Sequence, residues 1–265
     1  METKDISQEL ENQLPEMIKE IATKYSVQQY IQNPDFLEER LSSWHQFGLI
    51  THTKMVRDIY VNKLEDLIKK WGLDKLIKEQ LNKEIDNIKK ELLLNISIIF
   101  HDLGKIICLE DNRINREHEV ASVKLLEESF LNRRLERYTL SKNQIDYIKR
   151  VIGTHDVLGK ELRDKLKEEG LLNIKFLENS EVSKICKEIS SKYSDVKLEV
   201  GIFFLCDLLG KTEFWDYFQE DSITPNRKID CILTEKNLPP QLKKAINQLP
   251  LNIKLAEIYL KNIFN

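Results

Sequence analysis

The stretch IIFHDLGKII, residues 98–107, places His101 and Asp102 side by side at the end of an apolar run. Aspartate is rarely fully buried without a partner, so this pair needs something nearby to satisfy it. A bound metal ion is one such partner; a plain buried Asp–His hydrogen bond is the other. The chain holds five histidines, His45, His52, His101, His118 and His155, and Asp207 interrupts a second apolar run, IFFLCDLLG. Adjacent helical residues point about 100° apart around the axis, so His101 and Asp102 can address one centre only if other helices complete it. His52 and Asp207 are candidates for that task. A set of imidazoles and carboxylates suits Fe, Mn, Co, Ni or Zn better than calcium, which prefers all-oxygen cages.

The elements that must carry these residues read as helices. Leu10, Leu14, Met17, Ile18, Ile21 and Tyr25 recur at helical spacing within 6–31, and NPDF at 33–36 marks a turn before a helix over 35–47. A helix is expected over 48–72, ended by Gly72, and a solvated one over 74–90, where charges alternate with Leu and Ile. Residues 91–105 read as a central buried helix closing at Gly104. Further helices are expected over 117–130, 141–154, 160–168 and 198–218, with one or two short ones in 240–264. No segment shows period-two alternation. With only 8 Gly and 6 Pro, the chain reads as an all-α protein.

Composition narrows the partners. The 41 basic and 44 acidic residues are mixed along the chain and sum to −3, so no basic footprint for duplex nucleic acid stands out. A small phosphorylated ligand needs only a few local charges. Cys108, Cys186, Cys206 and Cys231 are widely spaced, which points to reduced thiols packed in a core. METKDISQELENQ is acidic and without an apolar run, and the apolar stretches are shorter than a membrane helix needs, so a soluble cytoplasmic protein is expected.

THTKMV with His52, HDLGK with His101 and Asp102, REHEVAS with His118, GTH with His155 and FFLCDLLGK with Asp207 follow one another in an order that resembles the HD-domain superfamily of metal-dependent phosphohydrolases. The resemblance spans roughly residues 45–215. It implies a helical HD core over 35–220 with an insertion at 74–90, an accessory helix in 1–34 and accessory helices in 221–265. It also implies that His52, His101, Asp102 and Asp207 hold one divalent ion. His118 and His155 make the pattern similar to members with two ions, in which Asp102 would bridge. Fe, Mn, Co, Ni or Zn are the expected metals, with Mg admissible.

Lys105 resembles the lysine of the family's HDxGK motif and would sit with Asp102 beside a phosphate; capping its helix C-terminus is its other reading. The implied activity is hydrolysis of a phosphate ester or anhydride of a small nucleotide-like substrate. The Gly-Tyr-Pro motif of the cyclic-dinucleotide phosphodiesterases is missing. Three other readings stay open: a phosphodiesterase or nuclease for single-stranded or cyclic-phosphate nucleic acid, a nucleotide-binding scaffold without catalysis, and a diiron oxygenase. The 74–90 insertion is expected to extend the surface rather than cover the site. His45 reads as a surface or packing residue, Arg57 as off the ligand face, and Phe214, Trp215, Tyr217 and Phe218 as core aromatics rather than a nucleobase platform.

Overall fold

The computed structural model describes residues 4–38, 45–110, 117–212 and 240–264. The first helices are α1 (Lys4–Asn12), α2 (Leu14–Lys24) and α3 (Gln28–Gln32). Next, α4 (Leu49–Asp58) passes through a π-helical turn, Ile59–Lys63, into α5 (Leu64–Lys70), and α6 (Asp74–Leu81) follows. A two-stranded antiparallel hairpin, β1 (Glu84–Ile85) and β2 (Ile88–Lys89), leads into α7 (Lys90–Phe100) and α8 (Gly104–Glu110). The order continues with α9 (His118–Leu125), α10 (Ser129–Glu136), α11 (Lys142–Thr154), α12 (Arg163–Glu168), α13 (Ser180–Lys192) and α14 (Lys197–Leu209). Helices α15 (Pro240–Asn247) and α16 (Leu249–Phe264) complete the described chain. The fold is all-α.

Two helices are apolar all round and are therefore buried all round. In α7 every residue from Ile96 to Phe100 is buried, and in α14 every residue from Leu198 to Leu209. The segment Lys90–Leu109, from α7 through the 101–103 turn into α8, is long and apolar enough to cross a membrane by composition, but most of it lies inside the fold. Around these two, α4 packs on both α7 and α14, α11 packs on α7 and α9, and α16 packs on α13 and α14. Arg57, as expected, faces away from the ligand residues: its guanidinium bonds Glu11 at 2.8 Å and Asn95 at 3.0 Å, tying α1 to α4 and α7.

The central apolar segment does not run on as one helix to Gly104. α7 ends at Phe100, residues 101–103 form a turn, and Gly104 opens α8 instead of closing its predecessor. Lys105 therefore sits in a first turn and cannot serve as a C-terminal cap. The break is held by Ser122, whose hydroxyl accepts from the Gly104 amide (2.8 Å) and donates to the His101 carbonyl (2.6 Å). The 117–130 helix is likewise split, into α9 and the start of α10. The described part of 35–47 is not helical, and α13 was not foreseen because its charged residues dilute its apolar face. Cys108, Cys186 and Cys206 are buried free thiols; Cys231 lies outside the described residues.

The 74–90 segment is a helix followed by a hairpin, not one helix. Asp86 and Asn87 take positive φ (47° and 68°), the conformation of a tight hairpin turn. Gln144 at the start of α11 donates to the Ile85 and Asp86 carbonyls (2.8 and 2.9 Å). His155 lies just past the other end of α11, about 17 Å along the axis from Gln144 at 1.5 Å per residue. The hairpin therefore extends the surface at the end of α11 remote from His155.

Gly104 admits no side chain, because a Cβ there would lie 2.0 Å from the His118 carbonyl oxygen. Gly104→Ala should force α8 and α9 apart and cost at least about 1–3 kcal/mol, read as a lower urea midpoint. A wild-type midpoint would contradict this close approach.

Candidate metal centre

Five elements deliver the histidines and aspartates to one buried place. His52 comes from α4, His101 and Asp102 from the turn after α7, His118 from the first turn of α9, His155 from the end of α11 and Asp207 from α14. All six are buried. One group gathers His52, His101, Asp102 and Asp207, and a second gathers Asp102, His118 and His155. His52 Nε2 stands 3.0 Å from Asp207 Oδ1 and 3.4 Å from Asp102 Oδ2. His101 Nε2 lies 3.2 Å from Asp102 Oδ2 and 3.7 Å from Asp207 Oδ1. On the other side, His118 Nε2 is 3.2 Å from Asp102 Oδ1 and 3.1 Å from His155 Nε2. Asp102 thus turns one oxygen to each group.

The opposite edge of each ring is tied down. His52 Nδ1 meets the Gly210 carbonyl at 3.0 Å, His101 Nδ1 that of Ile98 at 2.7 Å and His155 Nδ1 that of Ile152 at 2.7 Å. A carbonyl only accepts, so each Nδ1 carries a proton; neutral His52 and His155 point a lone pair inward from Nε2, and His101 does so once its second proton leaves. His118 Nδ1 faces Glu119 Oε2 at 3.4 Å, and Glu119 in turn pairs with Lys160 at 2.7 Å. Such partners on the far nitrogen are what orient imidazoles toward a metal.

Electrostatics leave this set short of positive charge. Burial pushes the His52 and His155 imidazoles down, so both stay neutral, although Asp207 resists the shift at His52. Burial also opposes charge on His101, but Asp102 and Asp207 outweigh it and raise its pKa to about 9. Despite their burial, Asp102 and Asp207 are held well below the usual carboxylate range, chiefly by His101 and Lys105 and by Lys211 respectively. Among the described residues His101 Nε2 and Asp102 Oδ1 make no aligned hydrogen bond, though both are buried. The His118–His155 contact needs a proton from His118 or a cation between the rings. Converging lone pairs, two carboxylates and orphaned donor atoms fit a divalent cation.

The Lys105 ammonium lies against the Asp102 carboxylate. Lys211, which the sequence reading passed over, pairs with Asp207 at 2.7 Å. Its signal was present: DLLGK sets a lysine four residues after a carboxylate, on the same helical face. His45 is buried, not on the surface, with its ring edge-on to His52 at 4.6 Å between centroids. Burial, Lys105 and His52 keep it neutral. Phe214, Trp215, Tyr217 and Phe218 lie outside the described residues.

No family model, curated protein or solved structure matches the chain.

A cation entering the centre must displace the proton on His101, whereas the aspartates are already ionised and His52 and His155 already neutral. Affinity for Mn²⁺ should therefore rise by about tenfold per pH unit from neutral pH to about 9 and then level. Calorimetric titrations in buffers of different ionisation heat should count about one proton released. A pH-independent affinity would contradict the assignment of that proton.

Proposed function

We propose that the protein is a metal-dependent phosphohydrolase of the HD type, acting on a phosphate ester or anhydride of a small nucleotide-like substrate. The observation that carries this reading is the sharing of Asp102 between two donor groups, with the Lys105 ammonium against the same carboxylate. His52, His101, Asp102 and Asp207 would hold one ion; Asp102, His118 and His155 would hold the second. Divalent ions held there would supply Lewis acidity for a phosphoryl oxygen and would lower the pKa of water so that hydroxide is available near neutral pH. Fe, Mn, Co, Ni and Zn suit the nitrogen-rich donor set, and Mg suits it less.

The chain's own residues have separable tasks. The Nδ1 contacts to Gly210, Ile98 and Ile152 keep three imidazoles from rotating, so their Nε2 atoms need no rearrangement during turnover. Lys105 and Lys211 each offset the charge of a site carboxylate and place an ammonium where phosphate oxygens would bind. Lys105 also lines, with His52 and Asp102, a space of about 10 Å³, room for one water-sized atom beside the centre. The apolar helices α7 and α14 exclude water from behind the ligands, where it would weaken every charge interaction.

Activity should appear on a nucleotide phosphate panel assayed with Mn, Co, Fe, Ni, Zn and Mg separately. Asp102→Ala should lose metal and lower turnover by at least about a thousandfold, an expected cost of more than 4 kcal/mol in the barrier, while keeping a helical circular dichroism spectrum. Full metal content and full turnover in that variant would end the reading. Metal uptake by the wild type without turnover on any substrate would favour a binding scaffold.

A further inference from the structure

Beside the centre, a narrow pocket is lined by Tyr30, Phe36, Phe47, His52, Asp102 and Lys105 among others. The candidate ligands His52 and Asp102 share this lining with the aromatic rings of Tyr30, Phe36 and Phe47, around a space of about 10 Å³, enough for one phosphoryl oxygen. Tyr30 comes from α3, far from the HDLGK motif in sequence, and is fully buried. Its ring is held edge-on by Phe36, with centroids 5.5 Å apart and planes at 86°. Its hydroxyl finds no hydrogen-bond partner among the described residues. A buried hydroxyl without a partner costs free energy, and that cost is recovered when a ligand supplies an acceptor.

We propose that the Tyr30 hydroxyl is a substrate contact that donates a hydrogen bond to a phosphoryl oxygen bound beside Asp102 and Lys105. The assignment rests on the phosphohydrolase reading and adds to it a residue outside the HDLGK segment. Burial, reinforced by the charges of Glu38, Asp102 and Asp35, raises the pKa of this phenol, so it remains a donor across the working pH range. A phosphoryl group offers only acceptors in that position, and Lys105 supplies the neighbouring positive charge. The contact makes Tyr30 a recognition residue for the phosphoryl end, not a metal ligand.

The test uses the full chain loaded with Mn²⁺ and inorganic phosphate as the probe, titrated calorimetrically. Tyr30→Phe keeps the ring against Phe36 and removes only the hydroxyl. It should weaken phosphate binding roughly ten- to hundredfold, with metal content unchanged. The melting temperature of the metal-free variant should equal or exceed that of the wild type, because an unpartnered polar atom has been removed. Tyr259→Phe, another buried tyrosine without a hydroxyl partner among the described residues, should bind phosphate as the wild type does. Wild-type phosphate affinity in Tyr30→Phe would overturn the proposal alone. A lowered melting temperature together with lost metal would mark the hydroxyl as structural and also overturn it. A wild type that takes up metal and binds no phosphate would overturn both the proposal and the phosphohydrolase reading.

Discussion

Three helices end at one point, and their last carbonyls hold the histidines. Ile98 near the end of α7, Ile152 near the end of α11 and Gly210 after α14 each accept the Nδ1 proton of a site imidazole. The final four carbonyls of a helix lack intrahelical partners and must be satisfied from outside it. Here part of that need is met by the ligands themselves, so terminating the helices and orienting the rings are one interaction. The negative ends of three helix dipoles reach the centre from one side, while the N-termini of α8 and α9, at Gly104 and His118, reach it from the other. The fold therefore sets the direction in which the ligands point.

Asp102 depends on the same arrangement. Its place between two donor groups requires the chain to turn immediately after α7, and that turn is possible because Ser122 bonds both sides of it and Gly104 lets α9 approach. Burying two carboxylates is costly unless each is paired and hydrogen-bonded. Lys105 and Lys211 meet part of that cost at Asp102 and Asp207. The proton on His101 meets another part, and a divalent cation would take over its role.

Most of the site could be read from the residues because its donors are polar side chains set within apolar runs, where they stand out. His52, His101, Asp102, His118, His155 and Asp207 all arrive at the same place. The all-α class was equally legible from helical spacing and scarce glycine. The break at His101–Leu103 was not, since apolar residues resume at Leu103, Ile106 and Ile107, and a distant serine holds it. The Asp86–Asn87 turn was masked by flanking Lys, Glu and Ile that suit a helix as well as a strand. Tyr30 escaped for a different reason: its place beside Asp102 and Lys105 is set by tertiary packing, and nothing in its local sequence marks it. Lys211 had a local signal, a lysine four residues after a carboxylate, whose meaning becomes plain only once Asp207 is seen at the centre.

The central claim is that the carbonyl-anchored imidazoles and the shared Asp102 form one two-ion centre. Anomalous diffraction from crystals of Mn²⁺-loaded protein, collected at the metal's absorption edge, tests it most directly. The account requires two strong peaks flanking the Asp102 carboxylate, one beside His52, His101 and Asp207 and the other beside His118 and His155. Peaks confined to surface carboxylates, with the buried histidines left without metal, would contradict it.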